Sequence, residues 1–443
     1  MSSHEGLAAR RAALVALKAV DEEDAWSNTA VPAAIAELPD ARDRACASPL
    51  AYDTLRWGGT LDWALGHALS RPLDDVEPAL QRVLRLGALQ LIRTGVPARA
   101  AVATSVALAK EQVPGKRAQG ASGFVNGVLR GLGRTLDSLP WPDPTTEPVA
   151  SLALTTAHPH WVVEDLLHRY GRDRTEEILW ADNEPPGLTL RATGDRDVLL
   201  AELRALGLDV APGALETSVR APGTDPRELS AVTEGRAVPQ DEASMRVVLA
   251  AGAEPGSRVL DLCAGPGGKS THLARIVGPG GSVTAVELHP HRAEMVRRAA
   301  ARQGVAVDVH VGDAVDPALA ADEPFDVVLL DAPCTGLGSG RRRPEVRWRR
   351  RPEDVTALAE LQSRVLDAAA ARVAPGGSLT YAVCTWTAVE TASVADGFET
   401  SVPGRDFDRE ERLQLLPDTD DTDGMFVTTW RRTGRDVAPP AAG

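Results

Sequence analysis

The chain has 443 residues, 43% of them hydrophobic, enough for about three domains with a core each, which excludes a disordered or fibrous protein. The net charge of -14 argues against a uniformly nucleic-acid-binding surface, yet residues 1–135 hold 16 Lys and Arg against 14 Asp and Glu, so the acidity lies in the remainder. Four scattered cysteines without a C-x-x-C pair, no apolar run near ~18 residues and a start without a signal-peptide stretch predict a cytoplasmic, soluble protein of a reducing compartment, with neither a metal nor a membrane as partner, and the chain is taken as a monomer although nothing in the sequence fixes its oligomeric state.

From residue 7 to about 135, apolar residues recur at three- and four-residue spacing in LAARRAALVALKAV, ALQRVLRLGALQLI and RAAVATSVALAKEQV, which predicts an all-α bundle for residues 1–135. The proline-rich stretch over 136–149 reads as a linker. Residues 150–239 mix helical texture (HWVVEDLLHRYG, DVLLAELRALGL) with strand-like alternation (LTLRAT, LETSVRA) and predict a small α+β module. From 240 to 434, strands alternate with helices: SRVLDLC, KSTHLARIV, SVTAVEL, HRAEMVRRAAARQG, VDVHVGD, FDVVLLDAP, a helix from Glu353, then SLTYAVCT. Nearly continuous apolar strands predict an α/β domain on a mostly parallel, doubly wound sheet, with ERLQLLP and GMFVTTWRRT as an antiparallel edge and 435–443 as a disordered tail.

In such sheets ligands bind beyond the carboxyl ends of the strands. The first strand runs into Cys263-Ala264-Gly265-Pro266-Gly267-Gly268-Lys269-Ser270. A P-loop would need glycine where Cys263 stands, and the glycine spacing is wrong for a dinucleotide fingerprint. Glu287, ending the second strand about twenty residues on, is placed to accept hydrogen bonds from ribose hydroxyls and predicts a nucleoside ligand. Asp313 ends the third strand and could accept from an adenine amino group, although an aspartate there often only forms a turn. Cys334, following Asp331-Ala332-Pro333, and Cys384 end the fourth and fifth strands, neighbours in a 3-2-1-4-5 order, so two thiols are expected to face one pocket. Cys46 and Cys263 are expected to be small buried hydrophobes. The run RRRPEVRWRRR, residues 341–351, holds seven arginines and a tryptophan. Arg341, Arg342, Arg343 and Arg347 offer phosphate-binding forks and Trp348 a stacking face, against the plainer reading of a solvated loop.

DLCAGPGGKS, DAPCTGLGSGRRRPEVRW, YAVCT and DGMF resemble the NOL1/NOP2/Sun family of S-adenosylmethionine-dependent RNA cytosine C5-methyltransferases over residues 150–433. The first domain is similar to NusB, an RNA-binding protein, in RRAALVAL, QRVLRLGALQLI and FVNGVL. The combination resembles the bacterial RsmB type, whose substrate is small-subunit (16S) ribosomal RNA. The resemblance implies Cys384 as the nucleophile and Cys334 in product release. The chemistry of that addition assigns Asp331, three residues before Cys334, to hydrogen bonding at the N3 or N4 edge of the base, and offers Lys269, the sole lysine after Lys116, to hold the thiolate or the base electrostatically, against the plainer reading of an ordinary helix-start lysine. The cofactor site is taken as residues 263–269 with Glu287, Arg292, Asp313 and Asp331, and the cofactor as S-adenosyl-L-methionine. Val383, Thr335, Thr391 after Glu390, and Leu190-Arg191-Ala192-Thr193 depart from the family pattern beside the reacting atoms. They bear on rate and substrate preference more than on reaction type. Two other readings stay open here: a non-catalytic RNA-binding or assembly factor on the same scaffold, and a cytosine C5-methyltransferase acting on tRNA or DNA.

Overall fold

The computed structural model describes residues 6–316 and 324–434, so the tail predicted over 435–443 lies outside the described residues. The chain divides into two compact units, Met1–Glu184 with Gly340–Arg350, and Pro185–Ser339 with Arg351–Gly443.

The first unit is all helical. Leu7–Glu22, Ser27–Ala36, Ala41–Arg56, Gly58–Gly66, Pro78–Ile92, Ala98–Gln112 and Ala118–Thr135 turn their apolar stripes onto one core containing Leu14, Leu17, Leu61, Leu65, Leu84, Leu89, Val125 and Leu129. Two further helices, Pro148–Thr155 and His160–Asn183, group with this unit by their contacts. Thr60 donates to the Leu154 carbonyl at 2.7 Å, and the Trp57 and Trp180 rings lie 6.1 Å apart. These contacts place the break between units after Glu184, beyond the proline-rich stretch, because the apolar sides of 148–183 are covered by the bundle.

The second unit carries two sheets. The smaller, in order β2-β3-β1-β4, is antiparallel: β1 (Thr189–Ala192), β2 (Ala211–Pro212), β3 (Ser218–Arg220) and β4 (Ala237–Pro239). Its apolar side packs on the helix Arg196–Ala205 through Leu190, Val219, Leu199, Leu200 and Leu203. The larger comprises β5 (Arg258–Leu262), β6 (Ser282–Glu287), β7 (Asp308–Val311), β8 (Phe325–Asp331), β9 (Val373–Val383), β10 (Phe407–Leu415) and β11 (Met425–Arg432), in order β10-β11-β9-β8-β5-β6-β7. β5 to β9 run parallel, while β11 is antiparallel to both β9 and β10. Alternate residues feed opposite faces, Leu260, Val328, Leu330 and Leu379 into one core and Val259, Val327, Leu329 and Ala382 into the other. Burial on both sides explains the continuous apolar runs read from the sequence. Among the described residues no helix is long and apolar enough to cross a membrane.

Candidate active site

β5 ends at Leu262, and the chain turns sharply through Cys263, whose φ is 62°, into the helix Gly268–Val277. Gly267 sits at φ 102°, and a Cβ there would lie 2.9 Å from the Val296 Cα, so only glycine permits this approach to the neighbouring helix. Glu287, buried at the end of β6, accepts the Gly265 N–H at 3.0 Å through Oε2 and the His289 N–H at 3.1 Å through Oε1. Arg292 closes the loop from the far side: it donates to the Gly265 carbonyl at 2.6 Å, and its Nη1 is 3.5 Å from Glu287 Oε2. A glycine-rich turn is thus pinned against a carboxylate at the next strand end. That donor and acceptor set fits the ribose-bearing part of a nucleoside cofactor. Asp313 is exposed, and its Oδ1 accepts from the Val315 N–H at 3.1 Å, the turn-forming role weighed for it above.

Lys269, in the first turn of the same helix, donates to Asp331 Oδ2 at 2.6 Å. Burial alone would lower the lysine pKa, but Asp331 outweighs it and the net shift is upward, so the ammonium persists. One strand over, the Cys334 and Cys384 sulfurs are 3.4 Å apart, both half-buried. The Cys334 thiol is pushed well up by its contact with Cys384 and then by burial. Cys263 is half-buried against the sheet core with its thiol raised by burial, and Cys46 is exposed, which corrects the expectation of burial for it. Cys46 falls on the outer side of the helix Ala41–Arg56, whose inner side is supplied by Ala47, Leu50, Ala51 and Leu55.

Beneath the thiols lies a network that the sequence did not single out. Glu390, fully buried, accepts from the Thr335 N–H (2.8 Å) and hydroxyl (2.6 Å), from Thr387 Oγ1 (2.9 Å) and from Gln362 Nε2 (3.1 Å). The sequence marks Thr335 and Glu390 only as positions of the family pattern, without pairing them. Asp261, in the middle of β5, is equally buried; its Oδ2 accepts from Ser270 at 2.6 Å, and burial raises its pKa to about 7.

Part of the arginine run faces inward and not toward a phosphate, Arg341 and Arg347 being buried. Residues 340–350 belong to the helical unit, where Arg347 is 1% exposed, pairs with the Asp182 carboxylate and donates to Asn183 Oδ1 at 2.7 Å. Arg341 is also buried and donates to the Glu184 carbonyl at 3.0 Å. Trp348 donates through Nε1 to the Leu55 carbonyl at 2.8 Å, and its ring lies so close to Gly59 that a Cβ there would be 2.5 Å away. The fork of Arg347 and the indole N–H of Trp348 are therefore engaged within the protein, and Trp348 is half-buried. Arg342 and Arg343 are half-buried, Arg343 5.1 Å above the Trp26 ring.

A mostly parallel sheet with an antiparallel edge, a glycine-rich turn after its first strand and an acidic residue at the end of the second define a Rossmann-like methyltransferase. Residues 248–431 match the model of the 16S rRNA methyltransferase RsmB/F family, 7–134 that of the NusB family and 158–220 that of the RsmF/B-like ferredoxin-like domain. The chain belongs to the RsmB/F family of 16S rRNA methyltransferases. It is 40% identical over 454 residues to a Mycobacterium tuberculosis protein, with 96% of each chain covered. It is 31% identical to the ribosomal RNA small subunit methyltransferase B of Enterobacter sp., covering 92% of this chain and 95% of that one. The crystal structure of PH0851 has the same fold, with a TM-score of 0.84 at 24% identity over 96% of this chain and 99% of that chain.

Proposed function

We propose that this protein methylates C5 of a cytosine in 16S ribosomal RNA, using S-adenosylmethionine, in the cytoplasm. The observation that carries the reading is the pair of thiols 3.4 Å apart at the ends of β8 and β9, beside the Lys269–Asp331 ion pair. The residues that would hold the cofactor are those of the turn 263–269 with Glu287 and Arg292, and when bound it supplies an electrophilic methyl on a sulfonium.

Cytosine C5 is a poor nucleophile. Addition of the Cys384 sulfur at C6 turns the ring into an enamine and places electron density on C5. Asp331 faces the N3 and N4 edge, where charge changes during that addition, and Lys269 holds the carboxylate in place. Once C5 carries the methyl group, its proton must leave, the C5–C6 double bond re-forms and the Cys384 sulfur is expelled. This second step calls for an acid or base near the ring, and Cys334, touching Cys384, is the group at hand. A purely assembling scaffold has no use for the two thiols. RNA affinity is assigned to the helical unit, whose residues 1–135 are the basic part of an acidic chain, together with Arg342 and Arg343.

Bisulfite sequencing of 16S rRNA from a strain lacking this protein tests the reading. One cytosine protected in the parent should become convertible, and plasmid-borne protein should restore protection. An unchanged set of protected cytosines would sink it.

A further inference from the structure

The mechanism above needs two thiols on two different loops to stand at a fixed separation, and nothing in it says what fixes that separation. Cys334 follows β8 and Cys384 follows β9, and each is only half-buried.

Both loops converge on one side chain. Glu390 Oε2 accepts from the hydroxyl of Thr335, the residue after Cys334, at 2.6 Å, and Oε1 from the Thr335 N–H at 2.8 Å. From the other loop, Thr387 donates to Oε2 at 2.9 Å, and Thr385, the residue after Cys384, is 2.9 Å from Thr335 Oγ1. The Thr385 hydroxyl shares a hydrogen bond with Thr335 and also lies 3.4 Å from Glu390 Oε2 as a donor, which ties the residues next to the two cysteines together. Gln362 braces the arrangement, giving one amide to Glu390 Oε1 at 3.1 Å and to the Pro333 carbonyl at 2.9 Å, while its Oε1 accepts from Tyr381 at 2.9 Å. Glu390, Thr335, Thr385, Gln362 and Tyr381 are all fully buried. A fully buried carboxylate with this many donors is a rigid clamp, since losing it strands several buried donors at once.

We propose that Glu390 is the positioning residue that sets the spacing of Cys334 and Cys384, with its strongest hold on the Cys334 loop. The proposal rests on the functional reading for its effect on catalysis, but not for its effect on geometry. Glu390→Gln keeps the volume and presents an amide nitrogen to donors, so it should loosen the loop after β8 more than the loop after β9.

The geometric test uses the full-length protein and diamide, which takes up two hydrogens and becomes a hydrazine as two thiols join. In wild type the pair at 3.4 Å should close to a Cys334–Cys384 disulfide, read by peptide mass mapping and reversed by dithiothreitol. In Glu390→Gln the rate of that closure should fall at least tenfold, with S-adenosylmethionine binding unchanged. The catalytic test is the fate of RNA: Glu390→Gln should still attach to 5-fluorocytosine RNA through Cys384 while turnover on ordinary RNA falls at least tenfold, a split that general destabilisation would not produce. Should Glu390→Gln not fold, Thr335→Val, which removes the 2.6 Å bond and keeps shape, should lower the closure rate several-fold. Closure and turnover within twofold of wild type in a folded variant would overturn the proposal. Glu390-dependent closure in a protein that methylates no RNA would leave the clamp standing and refute the functional reading instead.

Discussion

The Lys269 ammonium donates to the Asp331 carboxylate at 2.6 Å, joining the first turn of the helix after β5 to the end of β8. The one lysine of the last three hundred residues thus links the glycine-rich turn after β5 to the carboxylate at the end of β8. Lys269→Met should lower the methylation rate on the order of 100-fold, the usual scale for removing one preorganised charge. Asp331→Asn removes the main opposition to burial at the lysine, leaving Cys384 and Asp261 to favour the charged form, so any residual activity should decline at a lower alkaline pH than in wild type. A pH–rate profile on RNA fragments measures both. Wild-type rates in Lys269→Met would reduce the pair to a structural contact.

Glu287 should govern cofactor affinity. It loses contacts with Gly265 and His289 as well as any ribose bonds when truncated, and charge-assisted hydrogen bonds in such a site are worth about 1.5–3 kcal/mol each. Calorimetry on Glu287→Ala should show S-adenosylmethionine binding weakened at least tenfold. Affinity within twofold of wild type would place the nucleoside elsewhere.

The thiols should separate by phenotype. Cys384→Ala should abolish both methylation and covalent capture of RNA, whereas Cys334→Ala should add to the base, stall in release and accumulate as an RNA-linked band on denaturing gels. With 5-fluorocytosine in the RNA, the trapped nucleotide should map to Cys384. An adduct on Cys334 would reverse the roles.

Arg347 should matter for stability. It is buried against Asp182, and removing one partner of such a pair typically costs about 3–5 kcal/mol. Arg347→Met should therefore lower the urea midpoint of the helical unit's unfolding, and adding Asp182→Leu should recover part of the loss. An unchanged midpoint with weakened RNA binding would return Arg347 to the RNA surface.

Asp261 should make stability depend on pH. Its folded pKa is raised to about 7, so the folded state holds an extra proton over the range from the ordinary carboxylate value to about 7. Its stabilisation is full below that range and is lost as pH rises through it. His272 and His158, lowered to about 3 and about 4 chiefly by burial, act oppositely, their contribution being lost as pH falls below the usual histidine value. The useful quantity is thus the difference in Tm between wild type and Asp261→Asn, in which the histidines cancel. That difference should shrink or change sign between pH 5 and pH 8. A constant difference would mean that Asp261 ionises normally.

The order of helices, the alternating strands and helices after residue 240 and the positions of Cys334 and Cys384 at strand ends were readable from the sequence, because periodicity and turn chemistry are properties of neighbouring residues. The same reading named Glu287 and Lys269 from their places in short motifs. It misread Arg347 and Trp348, passed over Glu390 as a clamp and took Cys46 to be buried. Each of those depends on which distant segment covers a side chain: Asp182 lies 165 residues from Arg347, and Glu390 55 from Thr335. A run of arginines has one local signature whether water or a carboxylate surrounds it. The cost of burying a charge is met only by a partner that the fold brings across the chain, so tertiary structure alone decided which arginines are internal and what holds the two thiols together.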